Sequence, residues 1–370
     1  MKHAGLVLTA VTLFIGVSAL ARGKAKRATP THKKSAAPTY RPSNPLSKVP
    51  GALGPLPAGA QVASAHAPFE AGDCSICHQR DDKKNPGPIN MPVNELCFSC
   101  HDELQDQINK REYKHPAAQQ SCVNCHDPHD SRYPKLLIAD TKTLCLSCHA
   151  DIKKIVDTAK VSHGALDTEK SCANCHNPHA ANVEKLLIEM PFDLCLSCHD
   201  TGDIEDHDGK KLTDMKKLLD THKVWHAPVA AKDCSACHQP HGSANFRLLV
   251  LPYPAKFYSP YDPKNYALCF NCHDDQMLAD PRTTTLTSFR NGDLNLHYVH
   301  VHQERGRTCR ACHDIHAANQ LHLIRDGVPY GPKGWILKLH YTKTPTGGYC
   351  TRTCHQKHEY NNTVSVEPKK

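Results

Sequence analysis

Aromatic residues are scarce in this sequence, 6% of 370, and there are only two tryptophans. Beyond Val17 no long apolar run occurs, and 27 prolines interrupt the chain. A chain of this length usually buries a large side-chain core, yet no apolar periodicity here is sustained enough to build one. Acidic residues are absent before Glu70, while Arg22, Lys24, Lys26, Arg27, Lys33, Lys34, Arg41 and Lys48 fall in that Pro-rich stretch. Setting these eight and Lys2 aside reduces 45 basic residues to 36, against 37 acidic ones. The formal charge of +8 therefore belongs to the tail, and the near-neutral body offers no nucleic-acid surface.

The N-terminus reads as a secretory signal over residues 1–21. Lys2 and His3 form a positive head, Leu6 to Val17 an apolar run, and Ala19-Leu20-Ala21 a cleavage site. The run is shorter than the roughly 20 residues of a spanning helix, so the expectation is export, with no transmembrane helix in the mature chain and a periplasmic location. Residues 22–62 are expected to be a basic, Pro-rich disordered linker.

What the chain has in abundance is cysteine, twenty in all, every one in a close pair followed directly by histidine. An exported chain would ordinarily use them as disulfides, but the spacing says otherwise. The pairs are Cys74 and Cys77 before His78, Cys97 and Cys100 before His101, Cys122 and Cys125 before His126, and Cys145 and Cys148 before His149. They continue with Cys172 and Cys175 before His176, Cys195 and Cys198 before His199, and Cys234 and Cys237 before His238. Cys269 and Cys272 precede His273, Cys309 and Cys312 precede His313, and Cys350 and Cys354, one residue further apart, precede His355. C-x-x-C-H is the attachment motif of c-type haem: both thiols form thioethers to the porphyrin, and the adjoining histidine becomes the first axial ligand. Zinc ribbons also pair cysteines but do not require a histidine after every second one. Ten covalently bound haems are expected, and they would supply the apolar surface the side chains lack.

The motifs fall into five repeat units. Each has an upstream histidine, a first C-x-x-C-H, an x-P-H, a basic-apolar strip such as Lys135-Leu136-Leu137-Ile138, and a second motif, L-C-x-x-C-H. The end units are degenerate: Asp81 stands in place of the P-H histidine in the first, and the fifth carries the longer last site. Motif histidines are 23 to 27 residues apart through His199 and 35 to 42 apart from His238 onward. This divides the chain into 63–205 (sites one to six), a helical connector at 206–225, and 226–370 (sites seven to ten). The fold expected is mainly α with much irregular chain, elongated over stacked haems, with little β structure.

The repeat also nominates second axial ligands. His66, His115, His163, His226 and one of His297, His300 or His302 (His302 being the choice) precede the first motif of each unit. His129, His179, His241 and His316 lie three residues after a first ligand, on the same side of a turn. They cannot reach the far face of their own haem and are expected to serve a neighbouring one. With Asp81 in the donor position, the haem at His101 has no assigned partner. A histidine from elsewhere ranks first, His222 or else His207 or one from a second copy of the chain. Met91 or an open face are the alternatives. His322, His340 and His358 are unassigned.

The alternation of C-x-x-C-H, P-H and L-C-x-x-C-H over residues 66 to 355 resembles the doubled CXXCH multihaem cytochromes. The count of ten behind a signal is similar to the periplasmic decahaem cytochromes of the MtrA type. That resemblance implies a rod-shaped haem chain inside an outer-membrane porin, passing electrons between redox partners, an extracellular cytochrome among them. Electron transfer without catalysis is the expectation. A reductase of the nitrite or hydroxylamine type with one open haem, or a subunit of an extracellular haem filament, are the alternatives. No C-x-x-C-K, which often marks such reductases, is present.

Overall fold

A computed structural model describes residues 59–330, 335–351, 354 and 356–367. The expected signal, nearly all of the linker and His355 lie outside the described residues.

The chain is not mainly α. Among the described residues helix, counting 3-10 turns, makes up 36% and extended pairing 18%, with six small sheets. The reason is local and recurs in every unit. The first motif spans one 3-10 turn, as at Cys74–Ile76, Cys122–Asn124 and Cys234–Ala236. The following histidine closes it by donating its backbone N–H to the first cysteine, 2.8 Å for His78 to Cys74 and 3.0 Å for His238 to Cys234. The second motif occupies a single short α-helix, at Val93–Phe98, Thr141–Leu146, Pro191–Leu196 and Ala267–Phe270. Asp140 caps one of these, accepting from the Thr143 amide at 2.9 Å.

Strands are short because their task is to stitch units together. Ser64–Ala65 pairs antiparallel with Asp130–Ser131, Tyr113–Lys114 with Ala180–Ala181, and Val224–Trp225 with Ala317–Ala318. A single bridge, Val161 to Ser243, does the same for the third unit. In each case the residues just before one unit's upstream histidine join those just after the next unit's P-H histidine. The join runs into the histidines: His66, His115 and His226 donate their amides to the carbonyls of His129, His179 and His316 at 2.8, 2.9 and 3.0 Å.

The connector is less helical than its sequence suggests. Only Met215–Thr221 forms an α-helix, started by Asp214, whose carboxylate accepts from the Lys217 amide at 2.8 Å. Beyond it the chain turns extended, and the Trp225 indole donates to the carbonyls of His222 and Leu219. The C-terminal part adds a hairpin, Gly327–Tyr330 with Trp335–Lys338, and a three-stranded sheet of His340–Thr344, Gly347–Thr351 and His358–Asn361. Side-chain core is sparse. One cluster gathers Leu249, Tyr253 and Tyr266, while Ile89, Met91, Ile188, Met190, Val250 and Leu321 stay exposed. No helix among the described residues is long and apolar enough to cross a membrane.

Candidate cofactor sites

Eight pairs of histidine rings face one another. Four join an upstream histidine to the second motif of its own unit: His66 with His101, His115 with His149, His163 with His199 and His226 with His273, with centres 6.1 to 6.3 Å apart. Four join a first motif to the P-H histidine of the next unit: His78 with His129, His126 with His179, His176 with His241 and His238 with His316, again at 6.1 to 6.3 Å. All eight are within 18° of parallel. Direct ring contact in this chain is much tighter: Tyr298 stacks on His302 at 3.9 Å. A transition-metal bond to an imidazole nitrogen is about 2 Å and the ring centre lies about 1 Å further on, so two rings across one metal sit about 6 Å apart. The observed spacing fits one metal between each pair.

Hydrogen bonds fix which nitrogen faces inward. At the first motifs Nδ1 lies on a carbonyl nine residues along: His78 on Gly87 at 2.7 Å, His126 on Lys135 at 2.8 Å, His176 on Lys185 at 2.8 Å, His238 on Arg247 at 2.9 Å and His313 on His322 at 2.7 Å. The upstream rings do likewise with the carbonyl before the P-H histidine. His66, His115 and His163 meet Pro128, Pro178 and Pro240 at 3.0, 2.9 and 3.1 Å. A carbonyl can only accept, so Nδ1 carries the proton and Nε2 keeps its lone pair for a metal. Burial pushes His115, His126, His163, His199, His226, His238 and His241 below the ordinary imidazole value, and His316 down to about 4, which keeps these rings neutral.

The carbonyls at the first motifs come from the basic-apolar strip, which is strained. Lys135, Lys185, Arg247 and His322 have φ of 59°, 61°, 56° and 59°, each followed by a leucine in the same left-handed region, and the first unit places Gly87 there at 75°. Left-handed backbone costs a non-glycine residue roughly 1–2 kcal/mol, and the histidine lock and the return bridge, His176 to Leu187 for example, hold it in place. Lys185→Gly is accordingly expected to be near neutral, relief of strain offsetting the roughly 0.5–1 kcal/mol of extra unfolded-state freedom. Lys185→Pro cannot adopt the strip conformation and is expected to cost well over about 1 kcal/mol. Denaturation midpoints of the two variants check the difference.

The cysteines trace the order of the sites. Between units the thiols are near enough to perturb one another: Cys97 and Cys122, Cys145 and Cys172, Cys195 and Cys234, and Cys269 and Cys309. Within units Cys77 lies in the field of Cys97 and Cys100, Cys125 in that of Cys148, Cys175 in that of Cys198, Cys237 in that of Cys272, and Cys312 in that of Cys350 and Cys354. Each site thus neighbours the one before and the one after it in sequence. All twenty thiols are unpaired by disulfides.

The model of the doubled CXXCH motif matches residues 66–106, 115–154, 163–203 and 226–278. The chain is a doubled-CXXCH protein of the multihaem c-type cytochrome kind. Its motifs imply covalently bound haem c, and the paired rings and thiols described above fit that group. No curated protein matches the chain.

Two assignments read from the sequence are corrected. His222 faces no motif ring among the described residues; its Nδ1 lies 2.8 Å from the Leu218 carbonyl of its own helix. The ring opposite His101 is His66, and the P-H histidines serve the preceding unit's first motif. Asp81 therefore deprives His101 of nothing, because the first unit has no predecessor to serve. Asp81 instead accepts from the Cys74 amide at 3.2 Å. His302 is wedged between Tyr298 and Tyr261, with Nε2 buried and unpartnered, and it faces no described motif ring. His300 bonds the Leu296 carbonyl. His297 is held by the Thr287 hydroxyl at 2.9 Å, and burial together with the charge of His313 pushes it down to about 4. No ring stacks on His313 among the described residues.

Proposed function

We propose that this chain is a decahaem c-type cytochrome that conducts electrons along its length and is not an enzyme. The observation that carries this reading is the unbroken neighbour-to-neighbour succession of sites from Cys74 to Cys354. Bound haem supplies one-electron exchange between ferric and ferrous iron. The protein supplies the rest. The cysteines would hold each haem beside the one before and the one after it in sequence. At the eight paired sites two histidines would hold the iron, so a change of charge would require little rearrangement and leave no place there for a substrate to bind. The Nδ1 locks hold the rings in one tautomer, and the stitched backbone holds successive pairs in register.

The location and partners belong to the same reading. The N-terminal signal supports export to the periplasm. The likeness to the MtrA type supports association with an outer-membrane porin and transfer to an extracellular cytochrome. The purified protein is expected to contain ten haems by pyridine haemochrome assay and mass, all low-spin, and to co-purify from outer membranes with a porin. A high-spin haem accompanied by nitrite or hydroxylamine turnover would replace conduction with catalysis.

A further inference from the structure

The P-H rings are held differently from the others, and one stands apart. His129 Nδ1 lies 2.9 Å from a carboxylate oxygen of Asp127, which also accepts the His129 amide at 3.1 Å. The Asp127 side chain is only 10% exposed. The Phe69 ring meets His129 edge-on at 5.4 Å and helps keep water from it. The facing ring, His78, is locked as well, to the Gly87 carbonyl at 2.7 Å.

The other units lack this contact. Asn177 takes the same place before His179, and its side-chain oxygen accepts backbone amides of His179 and Ala180. Gln239 takes it before His241. Asp314 has a carboxylate there, but its oxygen is 4.0 Å from His316 Nδ1 and Arg325 neutralises it at 3.3 Å.

We propose that Asp127 is a positioning residue that makes the His78–His129 site the lowest-potential site of the described pairs. The proposal rests on the reading of these two rings as ligands of one haem. A buried carboxylate accepting the Nδ1 proton gives its ring more imidazolate character than a neutral carbonyl does. That makes the ring a stronger donor and favours the ferric state. Low local polarity leaves the charge weakly screened. The site nearest the N-terminus would then give up its electron most readily, which sets a sense of flow along the chain.

Asp127→Asn installs the residue the third unit already uses. One haem equivalent is expected to become at least tenfold easier to reduce, 59 mV for a single electron, with haem content and low-spin spectra unchanged. Asn177→Asp is expected to move one equivalent the opposite way at the His126–His179 site, and it decides the matter alone if the first variant does not mature. A purely structural role would not shift folded, low-spin proteins in opposite directions. Potentiometric curves that superimpose on the parent in both variants overturn the proposal. A His129→Ala protein that stays wholly low-spin would instead remove the ligand reading on which it rests.

Discussion

His66→Ala is expected to turn one haem per chain from low-spin to high-spin, and His222→Ala to turn none. The His66 ring sits parallel to His101 at 6.1 Å, with Nδ1 donated to Pro128 and Nε2 turned inward. Removing it takes one axial donor and nothing else of substance, because the amide that bonds the His129 carbonyl belongs to the backbone and stays. The His222 ring nitrogen Nδ1 meets the Leu218 carbonyl and the Thr221 hydroxyl. Integrated high-spin EPR intensity and carbon monoxide uptake measure both variants. A low-spin His66→Ala protein beside a high-spin His222→Ala protein would return the sixth position at His101 to the connector.

The second large effect concerns folding. A chain made without haem attachment is expected to have no cooperative unfolding transition and to be cut by protease throughout 59–330. Among the described residues the largest fully buried side chains are Tyr266, Val328 and Asn295. Such a core cannot offset the roughly 1–2 kcal/mol per residue that ordering the backbone costs. The exposed Ile188 and Val250 sit against the first motifs, their amides bonded to the carbonyls of Cys175 and Cys237, where a cofactor face would cover them. Covalent haem is then part of the folding free energy, as metals are in small metal-built domains. Near-UV circular dichroism and limited proteolysis of the two forms test this; a sharp thermal transition without haem defeats it.

Much of the site chemistry was legible in the sequence, because attachment depends on strictly local spacing. The motif cysteines and histidines, the recurring upstream and P-H histidines, and the idea that the P-H ring serves a neighbour all follow from positions along the chain. Which neighbour it serves does not. That depends on antiparallel joins such as Tyr113–Lys114 with Ala180–Ala181, two residues long and without alternation to mark them. The helix-rich expectation failed for a related reason. Lys185 and Leu186 look like helix formers, yet they sit left-handed because the His176 lock requires a carbonyl there. The strip was visible as a repeat, but its role as a tautomer lock was not, since a backbone carbonyl leaves no signature in residue type. At the fifth unit the repeat runs out of successors, and no rule based on offsets can say which ring His313 receives.

The join between units has a consequence for biogenesis. The first motifs of the first four units are each completed by a histidine of the following unit, between His78 with His129 at the near extreme and His238 with His316 at the far one. No unit is finished when its own residues are all present. A chain threaded through a membrane from its N-terminus therefore always trails one half-made site, whose missing ligand arrives only with the next segment. Maturation becomes a zipper that closes one tooth behind the leading edge. A chain cut short after any of the first four units would leave its last first motif with one histidine in place of two.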